Sequence, residues 1–313
     1  MTQIKFYPRN EAHMTMNEKQ PLPQRFGAAS IIGLPNAGKS TLTNELVGAK
    51  VSIVTRKRQT TRSRVTGIMV HDTAQVILID TPGLFRGKSD LEKSMARTVQ
   101  SALEDTNVIL HVVDSQRNPD DQKEIIEKLP RGTPCILVLN KVDLIKKSKL
   151  MDITAALNAM YSYQATYMIA ALSGNGVSDL KNDIITHIPE GAWRYDEDDI
   201  STQTMVFMAA EITRETIYET VHDEIPYAVH IETEDWENFD NGSVKISQIV
   251  YVERDMHKAI ILGKAGQKIK DIGKISREKM KESFGCTVHL KLFVKVSPNW
   301  TQNRDILAQI ENA

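Results

Sequence analysis

The sequence contains little cysteine, and its two cysteines, Cys135 and Cys286, both lie in apolar, strand-like runs. Such cysteines are typical of small buried side chains in a reducing cytosol, not of the disulfide framework of a secreted protein. No cysteines and histidines have the spacing of metal ligands, so we expect no structural metal. The longest apolar runs are far shorter than the roughly 18 residues that cross a membrane, and the N-terminus lacks an apolar signal segment. We therefore predict a cytoplasmic protein with neither a transmembrane span nor a signal peptide.

The whole chain also lacks net charge, because 39 lysines and arginines face 40 aspartates and glutamates, which leaves a net charge of −1. This balance gives no hint of a polyanionic partner. It is a cancellation, however: residues 211–240 hold ten acids and one arginine, whereas residues 258–295 hold ten basic residues and three acids, net charges of −9 and +7. We interpret the basic stretch as the footprint of a polyanion such as RNA, and the acidic stretch as a solvated face.

The order of apolar segments indicates two domains, as the length of 313 residues also does. Up to Pro189, short apolar runs alternate with amphipathic stretches, which is typical of a mostly parallel sheet with helices on both faces. The predicted strands of this α/β domain are Ala29–Ile32, Val65–Val70, Val76–Ile79, Val108–Val113, Cys135–Leu139 and Tyr167–Ala170. The later segments have the order α-β-β-α-α-β, which predicts a smaller α+β domain.

An acidic stretch after Pro189 separates the two domains, and its composition indicates an exposed linker. The prolines and polar residues before residue 26 indicate a mobile extension. The predicted division is therefore an N-terminal extension at 1–25, the α/β domain at 26–190, the linker at 191–203, the α+β domain at 204–302 and a C-terminal tail at 303–313.

Residues 33–40 fit the phosphate-loop pattern G-x-x-x-x-G-K-[ST], between a predicted strand and a predicted helix. Its glycines let backbone N–H groups surround phosphates, Lys39 reaches the β- and γ-phosphates, and Ser40 offers a hydroxyl to Mg²⁺. A plain strand-to-helix turn is the alternative interpretation. The nucleotide-binding candidates in this loop are Gly33, Leu34, Pro35, Asn36, Ala37, Gly38, Lys39, Ser40 and Thr41.

Two further motifs follow strands of the same sheet. The first is Asp80-Thr-Pro-Gly83. Its aspartate can hold the Mg²⁺ shell, and the Gly83 N–H can sense a γ-phosphate. The second is Asn140-Lys-Val-Asp143. The Asp143 carboxylate can accept two hydrogen bonds from guanine that adenine does not offer. Because parallel strands end at one edge of a sheet, we predict a guanine-nucleotide site there. The candidates are Asp80, Thr81, Pro82, Gly83, Asn140, Lys141 and Asp143.

These three motifs resemble those of the translation-factor-related GTPases in order and spacing. The resemblance implies that a first switch includes Thr61, which closes on Mg²⁺ and the γ-phosphate; Thr60 is the less favoured alternative. It also implies that the backbone of Ala171 contacts the guanine oxygen, with Leu172 beside it. Ala170 stands where the family has serine, and the loss of this bracing hydroxyl predicts a somewhat lower nucleotide affinity.

The resemblance also bears on catalysis. Leu84 occupies the position at which related signalling GTPases have a water-orienting glutamine, which predicts slow intrinsic hydrolysis, on the order of 10⁻⁴ s⁻¹. Asn36 matches the asparagine with which related GTPases hold a potassium ion, so potassium stimulation is a further hypothesis. We assign catalytic roles to Lys39, Thr61 and Gly83, and metal-binding roles to Ser40, Thr61 and Asp80.

The stretch around the first switch is basic, with five cations between Arg56 and Arg64. Three interpretations stay open for this stretch. It contacts ribosomal RNA, it brings Arg62 to the phosphates, or it is a mobile solvated loop.

The second domain contains a G-x-x-G loop between two helical segments. In KH domains, such a loop clamps a nucleic-acid backbone, because its glycines allow close approach and its lysines contact phosphates. The flanking apolar residues and the element order are similar to a type II KH domain. The RNA-binding candidates are Gly263, Lys264, Ala265, Gly266, Lys268, Ile269 and Lys270.

A GTPase domain followed directly by a KH domain resembles the bacterial Era GTPases, and the likeness spans residues 26–300. Gln59–Arg62, Asp80–Leu84 and Val294–Trp300 carry it. The resemblance implies a GTP/GDP switch with Mg²⁺ that binds 16S rRNA near its 3′ end and the 30S subunit during small-subunit maturation. It further implies a monomer with loose peripheral contact with the inner membrane. A metabolic phosphotransferase is a less favoured alternative, because it does not require the Asn140–Asp143 motif. An RNA-binding module with an unhydrolysed nucleotide is another alternative, which measurements of GTP turnover test.

Overall fold

The computed structural model describes residues 23–55, 57, 60–83, 89–104, 106–221 and 228–312. Its larger sheet has the strand order β2-β3-β1-β4-β5-β6, and all neighbouring strands are parallel except β2 and β3. The strands are β1 Arg25–Ile32, β2 Val65–His71, β3 Ala74–Asp80, β4 Val108–Asp114, β5 Cys135–Asn140 and β6 Ala165–Met168. The expected mostly parallel sheet is confirmed.

Helices cover both faces of this sheet, which explains why its central strands are mostly apolar and deeply buried. Every residue of β4 and β5 is buried. Leu42 and Leu180 belong to one core cluster with the strands, and Val99 and Ile125 belong to another. The helices are α1 Lys39–Val47, α2 Asp90–Glu104, α3 Lys123–Lys128, α4 Lys147–Met160 and α5 Val177–Thr186.

Strand β6 begins and ends two residues earlier than predicted. Ala165 already pairs with Ile136 in β5. Residue Ala170, predicted as the end of this strand, instead turns back, since its N–H donates to Asn175 O at 3.0 Å. The prediction followed the apolar run and therefore placed the strand too late. Strand β6 is only half-buried, so polar Thr166 is tolerated inside it.

The second domain has the predicted order of elements. Its three-stranded sheet has the order β7-β8-β9, with β7 antiparallel and β9 parallel to β8. Residues from both layers, such as Ile217, Val250 and Ile272, form one of its cores. The elements are α6 Met205–Thr220, β7 Val229–Asn238, β8 Val244–Val252, α7 Asp255–Leu262, α8 Gln267–Phe284 and β9 Val288–Val296.

The linker is anchored to the first domain at both of its ends, although residues 196–200 are exposed. Near its start, the buried Gln75 side chain accepts hydrogen bonds from the N–H groups of Arg194 and Tyr195, both at 3.0 Å. Near its end, Ile200 O accepts a hydrogen bond from Ile68 N–H at 2.8 Å. The linker therefore runs along the outer strand β2 instead of passing freely between the domains.

The segment predicted as a C-terminal tail contains a helix, α9 Arg304–Asn312. Ile306 and Ile310 of α9 pack with Leu91 and Met95 of α2 around the buried Trp300. Arg97 of α2 also forms an ion pair with Glu311. The chain therefore returns to the first domain after the second one. In the described part of the chain, no helix combines the length and the apolar character needed to cross a membrane.

Candidate functional site

The phosphate loop joins β1 to α1 in the predicted position. Gly38 has a φ of 95° and lies so close to Asn140 that a Cβ would collide with the Asn140 amide nitrogen, so only glycine fits there. Lys39 folds over the loop, where its Nζ donates to Gly33 O and Leu34 O, both at 3.2 Å. Burial lowers the pKa of Lys39 to about 8, although the charge of Asp80 opposes this effect. A polyphosphate in the loop would supply the negative charge that favours the ammonium form.

Three hydroxyl groups converge on the buried carboxylate of Asp80. Its Oδ2 accepts hydrogen bonds from Ser40 Oγ at 2.6 Å, Ser52 Oγ at 2.7 Å and Thr61 Oγ1 at 3.3 Å. Ser40 Oγ and Thr61 Oγ1 are 2.9 Å apart. Burial raises the pKa of Asp80, while Lys39 and the hydroxyls lower it only in part. Among the described residues, nothing hydrogen-bonds to Asp80 Oδ1.

These donors fit a magnesium ion, because Mg²⁺ prefers hard oxygen ligands and usually takes only one or two from the protein beside phosphates and water. The predicted metal-binding residues Ser40, Thr61 and Asp80 lie together. Ser52 was missed by the sequence analysis, since no motif marks it.

The two switch threonines point in different directions. Thr60 Oγ1 hydrogen-bonds to Thr55 Oγ1 at 2.7 Å and to Lys57 O at 2.8 Å, within its own loop. Thr61 faces Ser40 and Asp80 instead. This geometry favours Thr61 over Thr60 as the metal ligand.

The predicted phosphate-binding motifs line one cleft. Residues of the phosphate loop between Pro35 and Thr41 form one side, residues between Ile53 and Thr61 form another, and Gly83 closes it. Leu84 and the neighbouring residues 85–88 lie outside the described residues, as do Arg56, Arg58 and Gln59.

Asn140 joins the phosphate loop to the loop after β6. Its Nδ2 donates to Ala37 O at 2.9 Å, and its Oδ1 accepts from the N–H groups of Lys141 at 2.8 Å and Ala171 at 3.0 Å. The Ala171 amide therefore has a protein partner in this structure, and its contact with guanine stays a prediction. The Leu172 side chain beside it is 91% exposed.

Lys141 makes a second connection. Its Nζ donates to Asn36 O at 2.7 Å and to Asp114 Oδ2 at 2.6 Å. Asp114 is thus paired with a cation, which indicates a structural role. Asp143 follows in a short, exposed turn at the same edge of the sheet, where it is accessible to a base.

The loop at Ala170 has a different brace from the serine that the family pattern contains. Ser173 Oγ donates to Ala170 O at 3.2 Å, so a hydroxyl three residues later restrains the same loop. The lower nucleotide affinity expected from Ala170 stays a prediction, as does a potassium ion at Asn36.

The RNA contact considered for the basic stretch 56–64 stays a prediction, but Arg62 neither approaches the phosphates nor lies in a solvated loop. Its side chain is buried, and it enters the second domain, where Nη1 donates to Val229 O at 2.6 Å and Nη2 to Tyr218 Oη at 3.0 Å. The guanidinium carbon also lies 5.6 Å from the ring centroid of Trp300. The sequence could not show this because the partners are more than 150 residues away.

The acidic stretch is not uniformly a solvated face, as the sequence analysis had expected. Glu215 on α6 is only 2% exposed and forms ion pairs with Lys50 at 2.7 Å and Lys279 at 2.9 Å. Glu211 pairs with the buried Arg214. The part of the acidic stretch that lies in helix α6 therefore contributes to the boundary between the domains.

The G-x-x-G loop connects α7 to α8 as predicted. Gly263 has a φ of 68°, and a Cβ there would lie 2.6 Å from Lys268 Cβ. Ala265 and Gly266 also have positive φ values, which gives a tight turn. Lys264 and Lys270 are exposed, while Ile269 is partly buried against the core of this domain. The lysines can contact phosphates, and Ile269 mainly supports the loop.

Comparisons with known proteins agree with both halves of the chain. The model of the 50S ribosome-binding GTPase family matches residues 28–141, and the model of the KH domain family matches residues 224–301. Among solved structures, a point variant of Aquifex aeolicus Era bound to GDP and AlF4⁻ superposes with a TM-score of 0.86 and 32% identity, covering 92% of this chain and 99% of that chain. Era in complex with MgGDPNP and nucleotides 1506–1542 of 16S ribosomal RNA also gives 0.86 and 32%, over 92% and 98% of the two chains.

Curated relatives are more similar still. GTPase Era of Sinorhizobium medicae is 46% identical over 281 residues, which covers 89% of this chain and 91% of that protein. GTPase Era of Afipia carboxidovorans is 45% identical over 287 residues, or 91% and 93% of the two chains. Together with the GTP-site geometry and the KH domain, these similarities show that the chain belongs to the Era family of GTPases.

Proposed function

We propose that this protein is a GTP-switched RNA-binding factor that binds 16S rRNA near its 3′ end and the 30S subunit, and acts in small-subunit maturation. The observation that carries the proposal is the meeting of Ser40, Thr61 and Asp80 beside the phosphate loop. GTP orders switch segments of this kind through its γ-phosphate, and hydrolysis releases them.

In the proposed nucleotide site, the backbone of the phosphate loop and Lys39 hold the phosphates, and Gly83 senses the γ-phosphate. Asp143 selects guanine, while Asn140 and Lys141 fix the loops around the base. Ser40, Thr61 and Asp80 hold Mg²⁺, directly or through water, and the ion would neutralise developing phosphate charge during hydrolysis.

RNA binding is proposed for the G-x-x-G loop. Lys264 in the loop and Lys268 and Lys270 in the first turns of α8 belong to the stretch of net charge +7. A tight loop beside exposed and partly exposed lysines can follow an RNA backbone. The Era structure solved with nucleotides 1506–1542 of 16S rRNA supports this choice of RNA. Slow intrinsic turnover, potassium stimulation, a monomeric state and peripheral contact with the inner membrane are expectations that rest on the family resemblance, whereas cytoplasmic residence is expected from the composition of the sequence.

Steady-state GTP hydrolysis with Mg²⁺ tests the enzymatic part. We expect measurable turnover by the unaltered chain and loss of at least about a hundredfold in Lys39→Ala, because the lysine contacts the transferred phosphate. Lys149→Ala, which removes an exposed lysine of α4, is the control and should match the unaltered chain. No turnover by the unaltered chain would leave the alternative of an unhydrolysed structural nucleotide.

Titration of a fluorescent RNA that corresponds to the 3′ end of 16S rRNA tests the second part. Replacing Lys264 and Lys268 by alanine should weaken binding and reduce the slope of log K against log salt concentration by roughly 0.7 for each RNA phosphate that the protein no longer neutralises. The control removes two exposed lysines of α4, Lys147 and Lys149. Equal affinities and equal salt slopes in both double variants would exclude the G-x-x-G loop as the RNA site.

A further inference from the structure

The segment that carries Thr61 is held at both ends by the second domain. We call the described residues of this stretch, which are residues 54, 55, 57 and 60–62, the first switch segment. Val54 N–H donates to Glu215 Oε1 at 3.1 Å. Eight residues later, Arg62 donates to Val229 O and Tyr218 Oη, as described above. Thr61 is therefore the immediate neighbour of a side chain that is anchored in the KH domain.

Glu215 uses both of its carboxylate oxygens at this boundary. While Oε1 accepts from the backbone of the first switch segment, Oε2 accepts hydrogen bonds from Lys50 Nζ at 2.7 Å and Lys279 Nζ at 2.9 Å. Burial raises the pKa of Glu215, but the two lysines and the Val54 N–H together hold it below its ordinary value. The group is thus a buried anion that joins Lys50 and Val54 of the GTPase domain to Lys279 of α8.

The position of Val54 connects this contact to the nucleotide. Val54 itself lines the phosphate cleft, together with Ile53 and Thr61. One hydrogen bond therefore separates a KH-domain carboxylate from the wall of the nucleotide site. A buried charged hydrogen bond of this kind has a narrow geometry, and its loss leaves polar groups without partners.

We propose that Glu215 is a positioning residue for GTP hydrolysis: from the KH domain, it fixes the first switch segment so that Thr61 meets Ser40 and Asp80. This inference rests on the proposed role of Thr61 in the nucleotide site. It means that the GTPase domain does not complete its own γ-phosphate site, because part of the support comes from helix α6.

The test compares two neighbouring glutamates of α6 in the full chain. Glu215→Ala removes the hydrogen bonds to Val54, Lys50 and Lys279. Glu219→Ala is the matched control, because Glu219 also binds Lys279, at 2.7 Å, but forms no hydrogen bond or ion pair with a described residue of the GTPase domain. Thermal unfolding of both variants establishes that each one is folded before kinetics are measured.

We expect Glu215→Ala to lower kcat about tenfold, which corresponds to roughly 1.4 kcal/mol of activation free energy, and Glu219→Ala to change it less than twofold. Affinity for a non-hydrolysable GTP analogue should fall more than affinity for GDP, because only the analogue uses Thr61. Glu215→Gln, whose amide oxygen can still accept the Val54 N–H, should restore part of kcat.

Several results would overturn the inference while leaving the proposed function intact. One is an unaltered chain that hydrolyses GTP together with a folded Glu215→Ala that has the same kcat and the same ratio of analogue to GDP affinity. Another is an equal loss of both affinities, which indicates a general structural effect. By contrast, an unaltered chain without turnover would contradict the proposed function itself.

Discussion

At the scale of single residues, Lys141 illustrates how one side chain can hold several loops of a nucleotide site. It has a left-handed backbone conformation, with a φ of 63°, and its ammonium group bridges Asn36 O and the Asp114 carboxylate. Both bonds are charge-assisted, and the Asp114 side chain is 10% exposed. Lys141 therefore braces the phosphate loop and also neutralises a nearly buried acid.

Lys141→Met should lower both stability and GDP affinity. The methionine keeps an apolar stem of similar length but loses both hydrogen bonds and leaves Asp114 without its cation. We expect a loss of about 1–2 kcal/mol in the free energy of unfolding, measured by urea denaturation. GDP binding, followed by fluorescence titration, should weaken in the same variant. If Lys141→Met is no less stable than the surface control Lys149→Met, the bridge contributes nothing.

At the scale of elements, helix α9 connects the end of the second domain to α2 of the first. Residues Asp80–Gly83 precede α2 in the chain, so α9 packs on the helix that follows the γ-phosphate motif. The contact is mainly apolar and includes Ile306, which is 8% exposed. Trp300 occupies the centre of this cluster and also lies over Arg62. Arg62, next to Thr61, and the helix that follows the γ-phosphate motif therefore contact the same C-terminal region.

Ile306→Ala should loosen α9 without unfolding the sheet. Removal of a buried isoleucine side chain costs about 2 kcal/mol or more, and this cost falls on the local docking of α9 because the helix packs mainly on α2. Hydrogen exchange of the α9 amides should then accelerate by roughly thirtyfold, while amides of β4 stay unchanged. Arg304→Ala, an exposed position of the same helix, is the control. Unchanged exchange in α9 would show that Ile306 does not hold it.

At the scale of the whole molecule, the sequence was informative where function depends on local order and misleading where it depends on the meeting of distant segments. The phosphate loop, Asp80 and Asn140 were predictable because each motif directly follows an apolar strand. The predicted strand Cys135–Leu139 lies within the observed β5, Cys135–Asn140, because a continuous apolar run specifies it.

Arg62 and Glu215 show what local patterns cannot reveal. Each is charged and lies in a charged stretch, so solvent exposure was the simplest expectation, yet both are almost fully buried. Their burial depends on partners from another domain, and one sequence carries no information on that pairing. Helix α9 was missed for a related reason, since its apolar residues are buried by packing against α2, which is distant in the sequence.

The linker along β2 has a consequence for the behaviour of the protein in a crowded solution. β2 is one of the two edge strands of the six-stranded sheet, and unpaired backbone groups on such a strand can pair with another chain. Ile200 O accepts a hydrogen bond from the N–H of Ile68, and the Gln203 side chain donates one to Arg64 O at 3.0 Å. The peptide that joins the two domains thus also covers this edge of the sheet and opposes self-association through it.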